Sequence, residues 1–246
     1  MNYYFVADVH LGLPPEEDSR KREHRFVNWL DSIKHDAKEI FLLGDIFDFW
    51  FEYKKVVPRG FVRTMGKIAE LVDSGIPVHF FAGNHDLWVT DYLQSELGVV
   101  FHPNDYIVNL CGYKFCLTHG DAVSANDKSH ILLRKIFTNK PLRKIFAGLH
   151  PHAGVTFAHA WSKRNRKKHS RMEFNSDNPL YNKVCEIAET QKLAFFVMGH
   201  LHIPVNLSKN GFNFIVLPDW FSGGGYAVFN GKEMKIQLLE PENQEQ

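Results

Sequence analysis

Short runs of apolar, β-prone residues recur along the chain, each stopping at a glycine or a polar group. They are Tyr3-Tyr4-Phe5-Val6-Ala7, Ile40-Phe41-Leu42-Leu43, Val78-His79-Phe80-Phe81-Ala82, Phe115-Cys116-Leu117-Thr118 and Phe195-Phe196-Val197-Met198. Such runs predict buried strands that end where the backbone turns sharply. Between them the apolar spacing changes to that of a helix. Phe26, Trp29, Leu30 and Ile33 mark a core-facing amphipathic helix over residues 18–33, and residues 61–72 read similarly, ended by Gly75 and Pro77. Further on, Phe212 to Leu217 and Tyr226 to Phe229 predict strands joined through Gly223-Gly224-Gly225 that complete a second sheet, and a polar tail follows Pro241.

Directly after the five apolar runs come five polar blocks: Asp8-Val9-His10, Gly44-Asp45, Gly83-Asn84-His85-Asp86, His119-Gly120-Asp121 and Gly199-His200-Leu201-His202. One such block alone would be an ordinary cap or turn. Five together, at the strand ends where an α/β sheet collects its reactive groups, read as one site. Carboxylate, imidazole and a single amide oxygen form a mixed N/O donor set without thiolates, which suits Mn, Fe, Zn or Co. A carboxylate has two oxygens with which to bridge two ions. A pair of divalent ions clamps a phosphoryl group and acidifies water for in-line displacement, so phosphoester or pyrophosphate hydrolysis is the expected reaction.

In order and spacing the blocks resemble the calcineurin-like metallophosphoesterases, whose pattern is D-x-H, GD-x-x-D, GNH(D/E), a later H and GH-x-H, here from Asp8 to His202. The resemblance implies a four-layer α/β sandwich, two packed mixed sheets flanked by helices, and two divalent metal ions, with Mn the expected metal and Fe, Zn or Co as alternatives. It implies that Asp8, His10 and His202 hold one ion, that Asn84, His119 and His200 hold the other, and that Asp45 bridges them. His85 would stand at the leaving-group oxygen with Asp86 orienting its ring, while Asp48 and Asp121 would be turn or supporting residues.

Composition agrees with a globular enzyme: 246 residues, 44% hydrophobic and 23% charged. We expect a single domain over residues 1–246. The three cysteines have no metal spacing and are expected as reduced thiols, although Cys111 and Cys116 would be able to pair if exported. Neither a signal peptide nor a membrane-spanning run is recognisable. The net charge of +1 conceals a strong asymmetry, because residues 124–171 hold twelve Lys or Arg against Asp127, a net +11 that leaves the rest at −10. This basic segment interrupts the family pattern and reads as a helical cap inserted at about residues 124–180. Its apolar residues, from Ile131 to Leu149, recur at helical spacing as two helices, the first ending before Pro141 and the second broken by Pro151 and Gly154.

A solvated basic face and a nucleic-acid surface are two readings of the cap; an amphipathic face toward anionic lipid uses both its greasy and its basic side and is preferred, with nucleic acid disfavoured. A lipid-linked nucleotide sugar would engage such a cap. Within the family the chain is most similar to the pyrophosphohydrolases that cleave UDP-2,3-diacylglucosamine in lipid A synthesis, through Asp-Val-His-Leu-Gly, Gly-Asp-Ile-Phe-Asp-Phe-Trp and Leu217-Pro218-Asp219-Trp220. That similarity implies release of UMP and a lipid monophosphate, cytoplasmic location and peripheral association with the inner membrane. It places Asp127 at a substrate contact, with Ser162, Asn165, Arg166 and His169 on a substrate-facing stretch. One position departs: His85 stands where the best-known members of that group carry Arg, exchanging a fixed cation for a titratable one. A generic dinuclear phosphodiesterase or nucleotide pyrophosphatase is the alternative enzyme, and a metal-stabilised membrane-docking scaffold the alternative outside catalysis.

Overall fold

A computed structural model describes residues 1–53, 55–124, 139–148 and 174–239. The first sheet is built from β1 (Asn2–Val6), β2 (Ala37–Leu42), β3 (Val78–Phe81), β4 (Val100–His102), β10 (Gly225–Phe229) and β11 (Met234–Leu238) in the order β11-β10-β1-β2-β3-β4. β1 to β4 run parallel, whereas β10 and β11 are antiparallel additions at the β1 edge. The second sheet contains β5 (Tyr106–Leu110), β6 (Tyr113–Leu117), β7 (Phe195–Met198), β8 (Val205–Lys209) and β9 (Phe212–Val216) in the order β5-β6-β7-β9-β8. Its centre β6-β7-β9 is parallel and its edges are antiparallel. The fold is therefore α/β with two mixed sheets, as expected. One assignment is corrected: β9 and β10 lie in different sheets, because after the glycines the chain crosses over and β10 pairs with β1.

The period-2 alternation of each strand builds three cores. Tyr4 and Val6 face α1 (Glu16–Ile33) and α2 (Val62–Asp73), where Phe26, Trp29, Leu30 and Ile33 are buried as their spacing predicted. Tyr3, Phe5 and Ala7 face the second sheet. There Phe41, Phe5, Phe115 and Phe195 stack in series, with centroid separations of 4.9, 6.1 and 4.5 Å, and join the two sheets. The outer face of the second sheet is covered by a later helix, Pro179–Gln191, through Leu180, Tyr181, Val184 and Ala188. Trp50 and Phe51, just beyond the Gly44–Asp45 block, are fully buried and belong to the packing.

After α3 (Tyr92–Leu97), the short α4 (Asp121–Ser124) leads into the cap, of which α5 (Lys140–Ala147) is described. Pro141 sits in the first turn of α5, where its missing N–H is no loss. The helix closes at Ala147, with Gly148 N donating to Ile145 O, short of the breaks expected at Pro151 and Gly154. The ring of Phe146 lies 4.8 Å from Phe51 and 4.9 Å from Trp88, fixing α5 to the main sandwich. The first cap helix lies outside the described residues. All three cysteines are free, and no described helix is long and apolar enough to cross a membrane.

Candidate metal centre

All five polar blocks sit directly beyond strand ends, on one rim shared by the two sheets. The β1–β2 ladder continues past both strands: Asp8 N donates to Gly44 O at 3.1 Å and His10 N to Asp45 O at 3.0 Å. The sheets are tied across the rim by His200 N donating to Asp8 Oδ2 at 2.8 Å, and the β2 and β3 loops by His85 N donating to Asp45 Oδ1 at 2.8 Å. Two of the block glycines are needed for close approach. A side chain at Gly83 would collide with Asp45 Oδ1, and a Cβ on Gly199 would fall 2.6 Å from Asp8 Oδ2.

These contacts leave one set of polar atoms aimed inward. Asp8 Oδ1, His10 Nε2 and His202 Nδ1 are buried without a hydrogen-bond partner, and both imidazole nitrogens stand 3.9 Å from that carboxylate oxygen. Beside them, Asn84 Oδ1 lies 3.1 Å from His119 Nε2 and 2.9 Å from His200 Nδ1. Asp45 Oδ2 lies between the two sets, 3.7 Å from His10 Nε2 and 3.5 Å from His119 Nε2. The seven residues predicted as ligands thus come together as two groups with a shared carboxylate.

The electrostatics call for positive charge. Asp8, Asp45 and Asp48 are all essentially inaccessible to solvent, an arrangement that requires cations nearby. Burial, opposed by the charge of His119, pushes Asp8 up to about 6. His119 would be lowered by burial, but the carboxylates of Asp45 and Asp8 hold it well above the ordinary histidine value. Burial also acts on Asp45, yet His119 and His85 keep it well below the usual carboxylate range. By contrast burial lowers His10, and takes His200 down to about 3 and His202 to about 4, leaving neutral rings with lone pairs to offer. Orphaned buried donor atoms, neutral imidazoles and a carboxylate excess fit a pair of divalent ions.

Supporting contacts fix which nitrogen faces the site. His119 Nδ1 is 2.9 Å from Leu43 O, and His85 Nδ1 is 2.9 Å from Asp48 O; a carbonyl only accepts, so each Nδ1 carries the proton. Asp48 Oδ1 accepts from His10 Nδ1 at 3.2 Å and stands 3.6 Å from His85 Nδ1, so this residue steers both rings. The role expected for Asp86 is corrected. Its buried carboxylate accepts from the backbone N–H of Gly83 at 2.7 Å, Ile46 at 2.9 Å, Asp45 at 3.2 Å and Phe47 at 3.4 Å, and holds two loops together instead of orienting His85. Sequence reasoning passed over Arg22, whose guanidinium donates to the carbonyls of His10 and Leu13 at 3.1 and 3.3 Å. The available signal was a cation on the same helical face as Phe26 and Trp29. Asp127, Ser162, Asn165, Arg166 and His169 lie outside the described residues.

Comparison with known proteins agrees with this geometry. The family model described as calcineurin-like phosphoesterase matches residues 1–204. The chain is 36% identical to the UDP-2,3-diacylglucosamine hydrolase of Porphyromonas gingivalis (strain ATCC BAA-308 / W83), covering 96% of this chain and 97% of the relative. Proteins of the same name from Histophilus somni (strain 129Pt) and Shewanella halifaxensis (strain HAW-EB4) are 29% and 24% identical, over 88% and 98% of this chain and 91% and 98% of theirs.

Proposed function

The chain belongs to the calcineurin-like phosphoesterase family, and from that premise we propose that it hydrolyses the pyrophosphate bond of UDP-2,3-diacylglucosamine, releasing UMP and 2,3-diacylglucosamine 1-phosphate. The observation that carries the hydrolytic part is the set of three orphaned buried atoms, Asp8 Oδ1, His10 Nε2 and His202 Nδ1, beside the shared Asp45 carboxylate. The substrate assignment rests on full-length similarity to hydrolases of that name.

In this reading Asp8, His10 and His202 would hold one divalent ion, with Mn the expected metal, Asn84, His119 and His200 would hold a second, and Asp45 would be shared between the two groups. When bound, the pair supplies positive charge for the phosphoryl oxygens and lowers the pKa of a water nucleophile. The protein's own groups do the rest. Asp48 keeps His10 Nε2 turned inward, and the Leu43 carbonyl does the same for His119 Nε2. His85, whose ring is 4.8 Å from that of His10, has Nδ1 committed to the Asp48 carbonyl, so only the imidazolium can deliver a proton from Nε2 to the departing oxygen. The aromatic bed of Phe51, Trp88 and Phe146 anchors the cap that would receive the acyl chains. The basic cap meets the phosphates of an anionic membrane, and the enzyme acts as a peripheral protein at the cytoplasmic side of the inner membrane.

The test is Mn-dependent release of UMP from UDP-2,3-diacylglucosamine in detergent, set against hydrolysis of a soluble diester such as bis(p-nitrophenyl) phosphate. A strong preference for the lipid nucleotide is expected. Preference for the soluble diester would leave a metal-dependent phosphoesterase and remove the lipid substrate.

A further inference from the structure

Immediately after the buried Trp220 the chain presents a second aromatic ring, Phe221, which is 40% exposed. The two rings part company. Trp220 packs against Phe26 and Trp29 in the helix-facing core, whereas Phe221 turns the other way, over the candidate metal centre. Its centroid is 5.1 Å from the ring of His202 and 5.6 Å from that of His10, tilted by 56° and 72°. Both neighbours of Phe221 are pinned: Trp220 N donates to Asp8 O at 3.1 Å, and Ser222 N donates to Asp219 Oδ1 at 2.6 Å. An exposed phenyl ring is thereby held in place by the same residue that supplies a candidate ligand.

The surroundings of this ring differ from those of the cap. Phe51, Trp88 and Phe146 pack ring on ring, with Phe51 fully buried, and are used up in anchoring the cap. Phe221 is followed by the exposed Ser222 and Gly223 and then by Gly224, small residues that add no aliphatic surface. A single fixed ring among small polar groups suits a flat, polar heterocycle, which gains stacking on the ring and keeps its edge hydrated or hydrogen-bonded. A diphosphate seated on the ligand groups carries two unlike organic halves, and Phe221, partly exposed beside those groups, is placed to receive the flat, polar one.

We propose that Phe221 is a substrate-binding residue that stacks on the nucleobase of the nucleotide half, setting specificity for a nucleoside diphosphate linkage over other phosphate esters. This rests on the function proposed above. Base–aromatic stacking contributes enough for about five- to hundredfold in affinity. The test uses the full-length, Mn-loaded protein and two probes, UMP and ribose 5-phosphate, which differ by the base. Titration calorimetry on the wild type, Phe221→Ala and Phe221→Trp, with metal content measured for each, should show UMP binding weakened at least fivefold in Phe221→Ala and restored in Phe221→Trp, with the affinity for ribose 5-phosphate and the metal content shared by all three. Equal weakening of both probes, or loss of metal in Phe221→Ala, would assign the ring to the metal centre and overturn the proposal; so would unchanged UMP affinity. Failure of the wild type to cleave the lipid nucleotide would instead count against the proposed reaction, since base discrimination is read here without turnover.

Discussion

Replacing Asp86 separates two roles for one residue. In the first the carboxylate tunes the neighbouring His85, so Asp86→Ala changes the pH–rate profile and leaves stability near normal. In the geometry found here it accepts three good backbone N–H bonds and a fourth long one at 3.4 Å, bridging the Gly44–Asp45 and Gly83–Asn84 turns. The carboxylate is fully buried. Its removal leaves donors that no water can reach, each costing about 1–3 kcal/mol. Some relaxation is certain, so we expect a net loss of about 3–5 kcal/mol for Asp86→Ala, in the range for breaking a buried charged pair. At roughly 2–4 °C per kcal/mol for a chain of this size, Tm should fall by about 6–20 °C. Asp86→Asn, which keeps one acceptor oxygen but turns an amide N–H toward the other donors, should fall between. Calorimetric melting of the Mn-loaded proteins reads this directly. A Tm for Asp86→Ala within about 2 °C of wild type would refute the reasoning, most clearly if its pH–rate profile had moved.

Further predictions concern metal, cap and pH. Mn at about a hundred times its dissociation constant should stabilise the folded chain by roughly 2.7 kcal/mol per site, raising Tm by at least about 5 °C; Asp45→Ala should abolish hydrolysis and most of this rise, and retention of either would break the ligand scheme. Phe146→Ala removes the ring packed between Phe51 and Trp88 and should lower kcat/KM for the lipid nucleotide about tenfold relative to a soluble diester, an unchanged ratio showing that the cap is not held there. His102, whose Nε2 lies 2.9 Å from His79 Nδ1, is pushed down to about 4 by burial, with His79 adding to the effect. Its folded value is below its unfolded one, so stability is complete above about pH 6.5 and declines as pH drops toward 4. Allowing for screening of this half-exposed ring, the decline is about 1–2 kcal/mol. Urea unfolding of wild type and His102→Gln near pH 7.5 and near pH 4.5 should show the difference between them change by that amount, and a constant difference would dismiss it.

What could be read from the sequence follows from what is local. An apolar run followed by Gly-Asp or Gly-Asn-His records a strand, its end and a donor within a few residues, so all seven candidate ligands were legible. The joining of β9 to the second sheet and of β10 to the first was not, because both strands alternate alike and the choice depends on pairing with β1, more than two hundred residues away. Asp86 was misread for a similar reason. Adjacent in sequence to His85, it spends its oxygens on a loop about forty residues earlier. Asp48 and Arg22 steer the His10 loop from other segments, through contacts that periodicity cannot register. Phe221 had only its place beside Asp219-Trp220 to mark it.

The backbone at the centre shows why the same blocks serve as turns and as donors. Asp8, His10, Asp45, His200 and His202 all have φ between 49° and 68°, left-handed values that most residues avoid. Glycine would adopt them without strain, and each non-glycine there costs on the order of 1–3 kcal/mol. Asp and His tolerate the conformation better than branched residues do, yet tolerance alone does not account for five of seven candidate ligands. The turns are over-determined by the continued β1–β2 ladder and by Trp220 N on Asp8 O, backbone bonds that persist whatever occupies the side-chain positions, and by His200 N on Asp8 Oδ2, which needs the aspartate. The strain is therefore retained for the side chains themselves, whose carboxylates and neutral rings converge from both sheets where a cation pair relieves the charge they concentrate.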